Sequence, residues 1–266
     1  MTDVAATTVE PLVLSETSEG VRTLTLNRPA SYNALSREML GALQQALDEV
    51  ATDTAVRVVI LAARGKAFCA GHDLKEMRAH TDRTFHQALF EQCSRLMLSI
   101  QRLPQPVIAE VQGIATAAGC QLVATCDLAV AADNARFAVS GINVGLFCST
   151  PAVALSRNLA RKQAVEMLLT GEFIDAATAL QYGLVNRVCE AGALSASSRE
   201  LAAAICAKSA LAVTTGKHLF YRQLEMDVEA AYQAASETMA CNMDSEDARE
   251  GVDAFMAKRP PRWRGC

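Results

Sequence analysis

The stretch VQGIATAAGCQLVATCD, residues 111–127, holds the pattern that decides the fold. It starts at the end of an apolar run, turns at Gly113, and continues into small residues around one polar side chain, Gln121. Small side chains let another backbone segment come close, and a helix start exposes unpaired N–H groups at the positive end of the helix dipole. The stretch therefore predicts a strand, a tight turn and a helix start whose N–H groups face something else.

A second loop of this kind, GKAFCAGHDLKEM, spans residues 65–77 and follows another apolar run. Two helix starts aimed at one point would form a pocket for an oxygen that gains negative charge during a reaction. A glycine after a strand is also common in plain turns, so each loop alone fits a purely structural role.

Short strand patterns alternate with helix patterns over the first two-thirds of the chain. Alternating or continuous apolar runs predict strands at residues 21–27, 57–63, 106–112, 127–133 and 184–190. Apolar residues at helical spacing predict helices after the N-cap residue Ser36, from Phe85 to Ile100, and over residues 152–180. This alternation predicts the α/β fold class, with a core over residues 1–191.

From residue 192 to residue 266 only helix patterns remain. This C-terminal helical region is too short to bury its own apolar faces, so it must pack on the core or on another subunit.

Composition narrows the class of protein. The 266 residues are 51% hydrophobic and 20% charged with a net charge of −4, which is typical of a soluble globular protein and gives no electrostatic case for nucleic acid or membrane partners. The start, MTDVAATTVE, has neither a basic leader nor an apolar run. Nine cysteines without a CxxC pair predict buried free thiols in a reducing compartment, so we expect a cytoplasmic protein. Four scattered histidines predict no metal site.

Five ordered stretches, which together cover nearly the whole chain, resemble the crotonase (enoyl-CoA hydratase/isomerase) superfamily. They are LNRPASYNALS, AFCAGHDLKEM, PVIAEVQGIATAAGCQLVATCDLAVAAD, TGEFIDAATALQYGLVNRV and SEDAREGVDAFMAKRPPRW. The combination of AGHDLKEM, GCQLVA and NVGLFCSTP resembles the branch named enoyl-CoA hydratase domain-containing proteins. The resemblance implies a spiral of ββα units with a C-terminal helical region that forms homotrimers, often paired into hexamers. It also implies an acyl-CoA or enoyl-CoA thioester as ligand, with no metal and no cofactor apart from the CoA of the substrate.

Carried over position by position, the resemblance implies two backbone donors to the thioester carbonyl, the N–H groups of His72 and Ala118, the latter beside Gly119. Other positions match residues that hold CoA in the family. Those around the bent CoA are Ser31, Tyr32, Ala70, Asp73 and Leu74, and the tail residue is Lys258, which often reaches CoA phosphates from a neighbouring subunit. Lys258 fits a solvated lysine equally well.

The match fails at the acid–base groups. Hydratases of this family use two glutamates, and the corresponding positions hold Gln121 and Gly141, neither of which exchanges a proton. A general acid or base contributes roughly 10²–10⁴-fold to a rate, so ordinary hydratase turnover should be severely impaired. Ser149 and Asn143 stand where other branches place further carboxylates.

A few groups remain that could act chemically. The His72 side chain titrates near neutral pH but more simply packs locally, and a Cys148 or Ser149 nucleophile would need His72 as its base. Glu110 and Asp127 fit structural roles better than catalytic ones. Two hypotheses stay open: an acyl-CoA enzyme that uses the oxyanion pocket for weak hydration, isomerisation, decarboxylation or thioester hydrolysis, and a non-catalytic acyl-CoA binding protein.

Overall fold

The structure is a computed structural model that describes residues 10–266. The leader prediction rests on residues 1–9, which lie outside the described residues. Ten strands form two sheets within this range. The strands are β1 (Val13–Ser18), β2 (Val21–Leu26), β3 (Val58–Ala63), β4 (Ala67–Cys69), β5 (Val107–Val111), β6 (Ile114–Thr116), β7 (Leu128–Ala132), β8 (Arg136–Ala138), β9 (Ile174–Asp175) and β10 (Arg187–Cys189). The larger sheet has the order β1-β2-β3-β5-β7-β10, and the smaller has the order β4-β6-β8-β9.

Eleven α-helices accompany these strands in residues 10–266. They are α1 (Arg37–Thr52), α2 (Leu74–Ala79), α3 (Arg83–Arg102), α4 (Ala118–Thr125), α5 (Ser149–Asn158), α6 (Arg161–Thr170), α7 (Ala176–Tyr182), α8 (Leu194–Cys206), α9 (Ala210–Gln223), α10 (Val228–Met243) and α11 (Glu246–Met256). No helix in this range combines the length and the apolar character that a membrane crossing requires.

One unit repeats three times along the chain. A buried strand of the larger sheet is followed by a turn, by a three-residue strand of the smaller sheet and then by helix, as in β3-β4-α2, β5-β6-α4 and β7-β8-α5. Equivalent strands of successive units pair in parallel in each sheet. The predicted α/β spiral of ββα units is therefore confirmed.

Most predicted elements are present, with one error. The predicted strands correspond to β2, β3, β5, β7 and β10, and the Ser36 hydroxyl accepts a hydrogen bond from the Met39 N–H as an N-cap. The helical region expected over residues 152–180 is wrong only at β9, where a two-residue strand interrupts it. It is broken into α5, α6 and α7, because Gly171 adopts a left-handed conformation after α6 and β9 follows it.

The first two C-terminal helices pack on the core. Helix α8 covers the outer face of the larger sheet, where Leu194 and Ala202 join the buried side chains of β3, β5 and β7. Helix α9 is fixed by Lys217, whose buried ammonium group donates to Asp127 at 2.6 Å and to the carbonyl oxygens of Ile100 and Gln105. Asp127 also accepts from the Val107 N–H and the Tyr221 hydroxyl. The carboxylate thus has the structural role expected for it.

Helices α10 and α11 leave much of their apolar surface exposed. Helix α10 has no buried residue, and Tyr232 in α10 and Phe255 in α11 are 73% and 86% exposed. The C-terminal region was expected to pack on the core or on another subunit; α8 and α9 pack on the core, and α10 packs on α9 with its other faces exposed. The division of the chain at residue 191 stays a prediction.

Candidate active site

Two loops are held against each other where β4 ends and α4 begins. A Cβ atom added to Gly119 would lie 2.0 Å from the carbonyl oxygen of Cys69, so only glycine permits this approach. Gly71 has a φ of +89°, and an added Cβ would lie 2.8 Å from the Cβ of Ala117 and 3.1 Å from the nitrogen of Ala118. The glycines therefore place the loop of His72 beside the first turn of α4.

The two predicted donors are unpaired in this arrangement. In residues 10–266 neither the His72 N–H nor the Ala118 N–H donates a hydrogen bond to the protein. Ala118 is buried at the first position of α4, where the helix dipole adds partial positive charge. Two N–H groups without partners, on loops that adjoin each other, can together bind an oxygen atom that carries negative charge.

Ala117 sets the direction of the second donor. Its φ of 51° and ψ of −120° lie in a region that favours glycine. The conformation is fixed on both sides, because the Ala117 N–H donates to the Ala138 carbonyl and the Ala117 carbonyl accepts from the Gln121 N–H. The sequence indicated only that the residue is small, and gave no sign that an alanine holds this conformation.

The loop of residues 28–35 joins the same site. Its backbone meets the donor loop through two hydrogen bonds, from the Ala70 N–H to the Tyr32 carbonyl and from the Leu35 N–H to the Gly71 carbonyl. Tyr32 is mostly exposed and Ser31 is half-buried. The structure therefore brings the candidate CoA residues Ser31, Tyr32 and Ala70 together.

A fully buried side chain, Asn33, holds that loop in place. Its Oδ1 accepts from the Arg28 N–H, and its Nδ2 donates to the carbonyl oxygens of Arg64 and Ala67. Asn33 belongs to the LNRPASYNALS motif, and the motif alone does not indicate this role. A polar residue in a turn before an apolar helix pattern was the available signal.

Asp73 has its carboxylate committed within the protein. It caps α2 by accepting from the Lys75 and Glu76 N–H groups, and it forms an ion pair with Arg28 at 2.8 Å. Burial alone would raise the pKa of Asp73, but the Arg28 hydrogen bond and the two backbone N–H groups bring that pKa below its usual value. Asp73 thus positions the loop, while the next residue, Leu74, is the one exposed to solvent.

The two positions that the resemblance aligns with the family's glutamates differ physically. Gln121 is 4% exposed, and its Oε1 has no hydrogen-bond partner in residues 10–266. Gly141 lies in a 3-10 turn, where an added Cβ would be 2.7 Å from both the Cys148 Sγ and the Leu146 carbonyl oxygen. A glutamate at position 141 therefore requires the turn itself to move, whereas the sequence suggested a simple exchange of side chains.

The alternative nucleophiles lack a base. Cys148 is buried with its Sγ 3.5 Å from the Val139 carbonyl oxygen, and burial raises the pKa of its thiol. The Ser149 hydroxyl contacts only the Phe147 carbonyl oxygen, at 3.4 Å. Among the described residues neither side chain hydrogen-bonds to His72, so the geometry does not activate them.

The His72 imidazole lies in an apolar setting. Its ring meets the Phe90 ring of α3 edge-on, with the centroids 5.3 Å apart, and its Nε2 is enclosed without a partner in residues 10–266. Burial lowers the pKa of His72 to about 4, because the charged ring would lose its hydration. The imidazole is therefore neutral near pH 7.

Two further candidates lie away from the donors. Glu110 projects to the α8 side of the larger sheet, where burial raises its pKa and the Ser198 hydroxyl partly offsets this. Lys258 is exposed after α11, and its one backbone hydrogen bond in residues 10–266 goes to the Phe255 carbonyl rather than to the site. The nine cysteines are free thiols, and residues 10–266 contain no group of three His, Cys, Asp or Glu side chains placed to hold a metal ion.

Comparison with known proteins gives a consistent result. A sequence model described as enoyl-CoA hydratase/isomerase matches residues 16–266. The enoyl-CoA hydratase domain-containing protein 3, mitochondrial, of Xenopus laevis is 47% identical over 95% of this chain and 86% of its own length. A crystal structure of an enoyl-CoA hydratase from Mycobacterium smegmatis is 62% identical with a TM-score of 0.94 over 96% of this chain and 99% of that chain. The crystal structure of human enoyl-CoA hydratase domain-containing protein 3 is 44% identical with a TM-score of 0.92, over 95% and 100% of the two chains.

The expected cytoplasmic location is wrong by the same comparison. The Xenopus laevis relative and its mouse and human counterparts are all named mitochondrial. The expectation rested on cysteine usage and on the first ten residues, neither of which distinguishes one reducing compartment from another.

The conformation of Ala117 predicts a stabilising substitution. Ala117→Gly removes the cost of a positive φ, and we expect the free energy of unfolding to rise by about 1 kcal/mol after the greater freedom of the unfolded glycine is subtracted. Ala203→Gly, on an exposed part of α8, is the matched control. It should lower the free energy of unfolding by about 1 kcal/mol. Urea unfolding measures the free energy of unfolding of both variants. An equal decrease in the two would contradict the conformation of Ala117.

The buried imidazole predicts a pH dependence of stability. Because the pKa of His72 is about 4 in the folded protein and near 6.5 when unfolded, the unfolded state binds the proton first as pH falls. Stability is therefore lost between pH 6.5 and pH 4. From pH 7 to pH 4.5 the wild type should lose about 2 kcal/mol more than His72→Phe. His80→Phe, which removes an exposed ring, should lose as much stability as the wild type over this pH range. If the free energy of unfolding of His72→Phe falls in parallel with that of the wild type, His72 is not the cause of the loss.

Proposed function

The chain belongs to the enoyl-CoA hydratase/isomerase family, and we propose that it binds an acyl-CoA or enoyl-CoA thioester with the carbonyl oxygen between the N–H groups of His72 and Ala118. The observation that carries the proposal is this pair of unpaired donors on loops fixed by Gly71 and Gly119. Two aligned N–H groups stabilise a thioester enolate, since the oxygen gains a full negative charge when the enolate forms. Losing one such donor typically costs about 3 kcal/mol in the transition state.

The CoA portion is proposed to lie along Ser31, Tyr32, Ala70 and Leu74, with its thioester end against Gly119. Lys258 would reach the CoA phosphates from a neighbouring subunit, since it is exposed and no backbone hydrogen bond in residues 10–266 holds it at the site. The proposed reaction uses no metal and no cofactor apart from the CoA of the substrate.

The proposed enzyme is not an ordinary hydratase. Water addition needs a base for the water and an acid for the α-carbon, and Gln121 and Gly141 supply neither. The fixed turn at Gly141 strengthens this argument, because a side chain there is excluded by Cys148 and Leu146. We therefore propose enolate-forming chemistry of the lyase or isomerase type that does not depend on a pair of carboxylates.

Decarboxylation of a malonyl-type thioester is a second candidate. In that step the bond from the α-carbon to the carboxylate breaks, CO₂ leaves, the electron pair passes to the thioester oxygen, and the α-carbon then takes a proton from water. The neutral amide of Gln121 favours this reaction because it adds no negative charge beside a developing enolate, and the carboxylate of Asp73 is paired with Arg28. Conversion of malonyl-CoA to acetyl-CoA, compared with hydration of crotonyl-CoA and hydrolysis of either thioester, distinguishes the reactions. Tight binding without turnover would favour the non-catalytic binding protein.

Removal of one donor provides the direct test. Ala118→Pro eliminates the N–H at the first position of α4, where the fixed φ of proline suits a helix start. Because proline also restricts the preceding residue, Ala117, the thioether ligand described below gives a second test that needs no variant. A conjugated aromatic enoyl-CoA absorbs at longer wavelength when its carbonyl accepts hydrogen bonds. We expect this shift on binding to the wild type, a smaller shift with Ala118→Pro, and an affinity loss of about tenfold.

The matched control is Ala210→Pro, at the first position of α9, which should keep the full shift. An alkyl-CoA thioether, which lacks the carbonyl, needs no variant and should bind the wild type about tenfold more weakly than the thioester. Equal affinity for thioester and thioether, or an unchanged absorption maximum on binding, would count against the carbonyl site.

We also propose that the protein is a homotrimer, able to pair into hexamers, built through α10 and α11. Val228, Tyr232, Met239 and Met243 share one exposed face of α10, and Phe255 is exposed on α11. A contiguous apolar surface of this kind is typical of subunit interfaces.

Sedimentation velocity should give three or six times the mass of the chain. Phe255→Glu should shift the distribution toward the monomer, because it places a charge on the apolar face, whereas Lys162→Glu on exposed α6 should not. A wild-type monomer at micromolar concentration would exclude the trimer.

A further inference from the structure

The His72 side chain has a buried polar atom that the proposed function leaves unused. Four enclosed side-chain atoms in residues 10–266 lack a partner: His72 Nε2, Gln105 Oε1, Gln112 Oε1 and Gln121 Oε1. The amide nitrogens of Gln105 and Gln112 bond to backbone carbonyls, so these two side chains are held in place. His72 and Gln121 make no such bond, and both adjoin the proposed donors. Buried polar groups without partners are rare, and a pocket that binds a polar ligand accounts for them.

The ring of His72 lies on the acyl side of the proposed ligand. A thioester carbonyl carbon has two substituents, the sulfur of CoA and the α-carbon of the acyl chain. In the proposed binding mode the sulfur leads toward the loop of Tyr32 and Ala70, which leaves the opposite side of the carbonyl, toward His72 and α3, for the acyl chain. The His72 ring faces that helix through Phe90, at 5.3 Å between centroids.

Because the imidazole is neutral, only some ligand groups can form a good hydrogen bond with it. A neutral imidazole has one donor and one acceptor nitrogen, and it offers no charge to a carboxylate. A hydroxyl group both donates and accepts, so it satisfies Nε2 in either tautomer. A hydrocarbon chain leaves the nitrogen unpaired, which is costly in a buried site.

We infer that His72 is a specificity-determining residue that hydrogen-bonds a hydroxyl group on the acyl chain, so that the preferred ligands are hydroxyacyl-CoA thioesters. The inference rests on the proposed position of the thioester carbonyl. It assigns the His72 side chain to recognition of the acyl group, whereas the backbone N–H of the same residue acts on the carbonyl.

Calorimetry with 3-hydroxybutyryl-CoA, 4-hydroxybutyryl-CoA and butyryl-CoA tests the inference. The wild type should bind at least one hydroxyacyl thioester about tenfold more tightly than butyryl-CoA. His72→Phe should reduce this ratio to about one, by weakening the hydroxyacyl ligand while butyryl-CoA binds as well or better. His72→Gln, which keeps a hydrogen-bonding group, should retain part of the preference.

The control is His80→Phe, because the exposed His80 ring stacks on Phe85 and should not affect the ratio. Equal binding of hydroxyacyl and butyryl ligands by the wild type, or an unchanged ratio in His72→Phe, overturns the inference and leaves the carbonyl site standing. If His72→Phe does not fold, His72→Gln decides: a preference smaller than that of the wild type, with His80→Phe keeping the full preference, supports the inference, and a full wild-type preference in His72→Gln overturns it. Failure of every thioester to bind the wild type refutes the proposed function itself.

Discussion

The contact between the Cα of Gly119 and the carbonyl oxygen of Cys69 is the constraint on which the site depends. It joins the end of β4 to the start of α4, and strands β4 and β6 pair in parallel just before it, with Cys69 opposite Ala115. The smaller sheet therefore does more than close the fold. Its three-residue strands set the separation of two loops, and each of those loops ends in an unpaired N–H group.

This arrangement is locally unfavourable, and the rest of the fold compensates for it. A positive φ at Ala117 costs about 1–3 kcal/mol, and each buried polar group without a partner costs a similar amount. The core between the larger sheet and helices α1 and α3 is far larger, since burial contributes on the order of 10² kcal/mol in a domain of this size. A substrate oxygen that accepts both N–H groups would remove part of the local cost on binding.

The sequence predicted the parts of the fold that depend on long periodic patterns. Strand β3 and helix α3 each present enough apolar residues to fix their type, and the Ser36 N-cap could be read directly. Strands β4, β6 and β8 have three residues each, too few for any periodicity, so the second sheet was not predicted from the pattern itself. The spiral came instead from the family resemblance, which the match over residues 16–266 bears out.

The site shows the same limit in a different form. The identity of Gln121 follows from the sequence, but the unpaired state of its Oε1 depends on every surrounding side chain. Gly141 appeared to be a missing acid, yet its Cβ position is already filled by Cys148 and Leu146. Contacts between residues far apart in sequence, such as Arg28 with Asp73, are likewise visible only after folding.

The neutral character of the site has an electrostatic consequence that favours anion formation. Two unit charges about 5 Å apart interact by about 3 kcal/mol at an effective dielectric constant near 20. A carboxylate at position 121 or 141 could act as a base. Its negative charge would also raise the free energy of an enolate by an amount of this order, because the two charges repel. Gln121 and Gly141 remove that opposition, and Arg28 offsets the charge of Asp73. In the proposed site Gln121 and Gly141 would therefore weaken proton transfer and strengthen the stabilisation of negative charge, which is the balance expected where the substrate supplies its own route to the enolate.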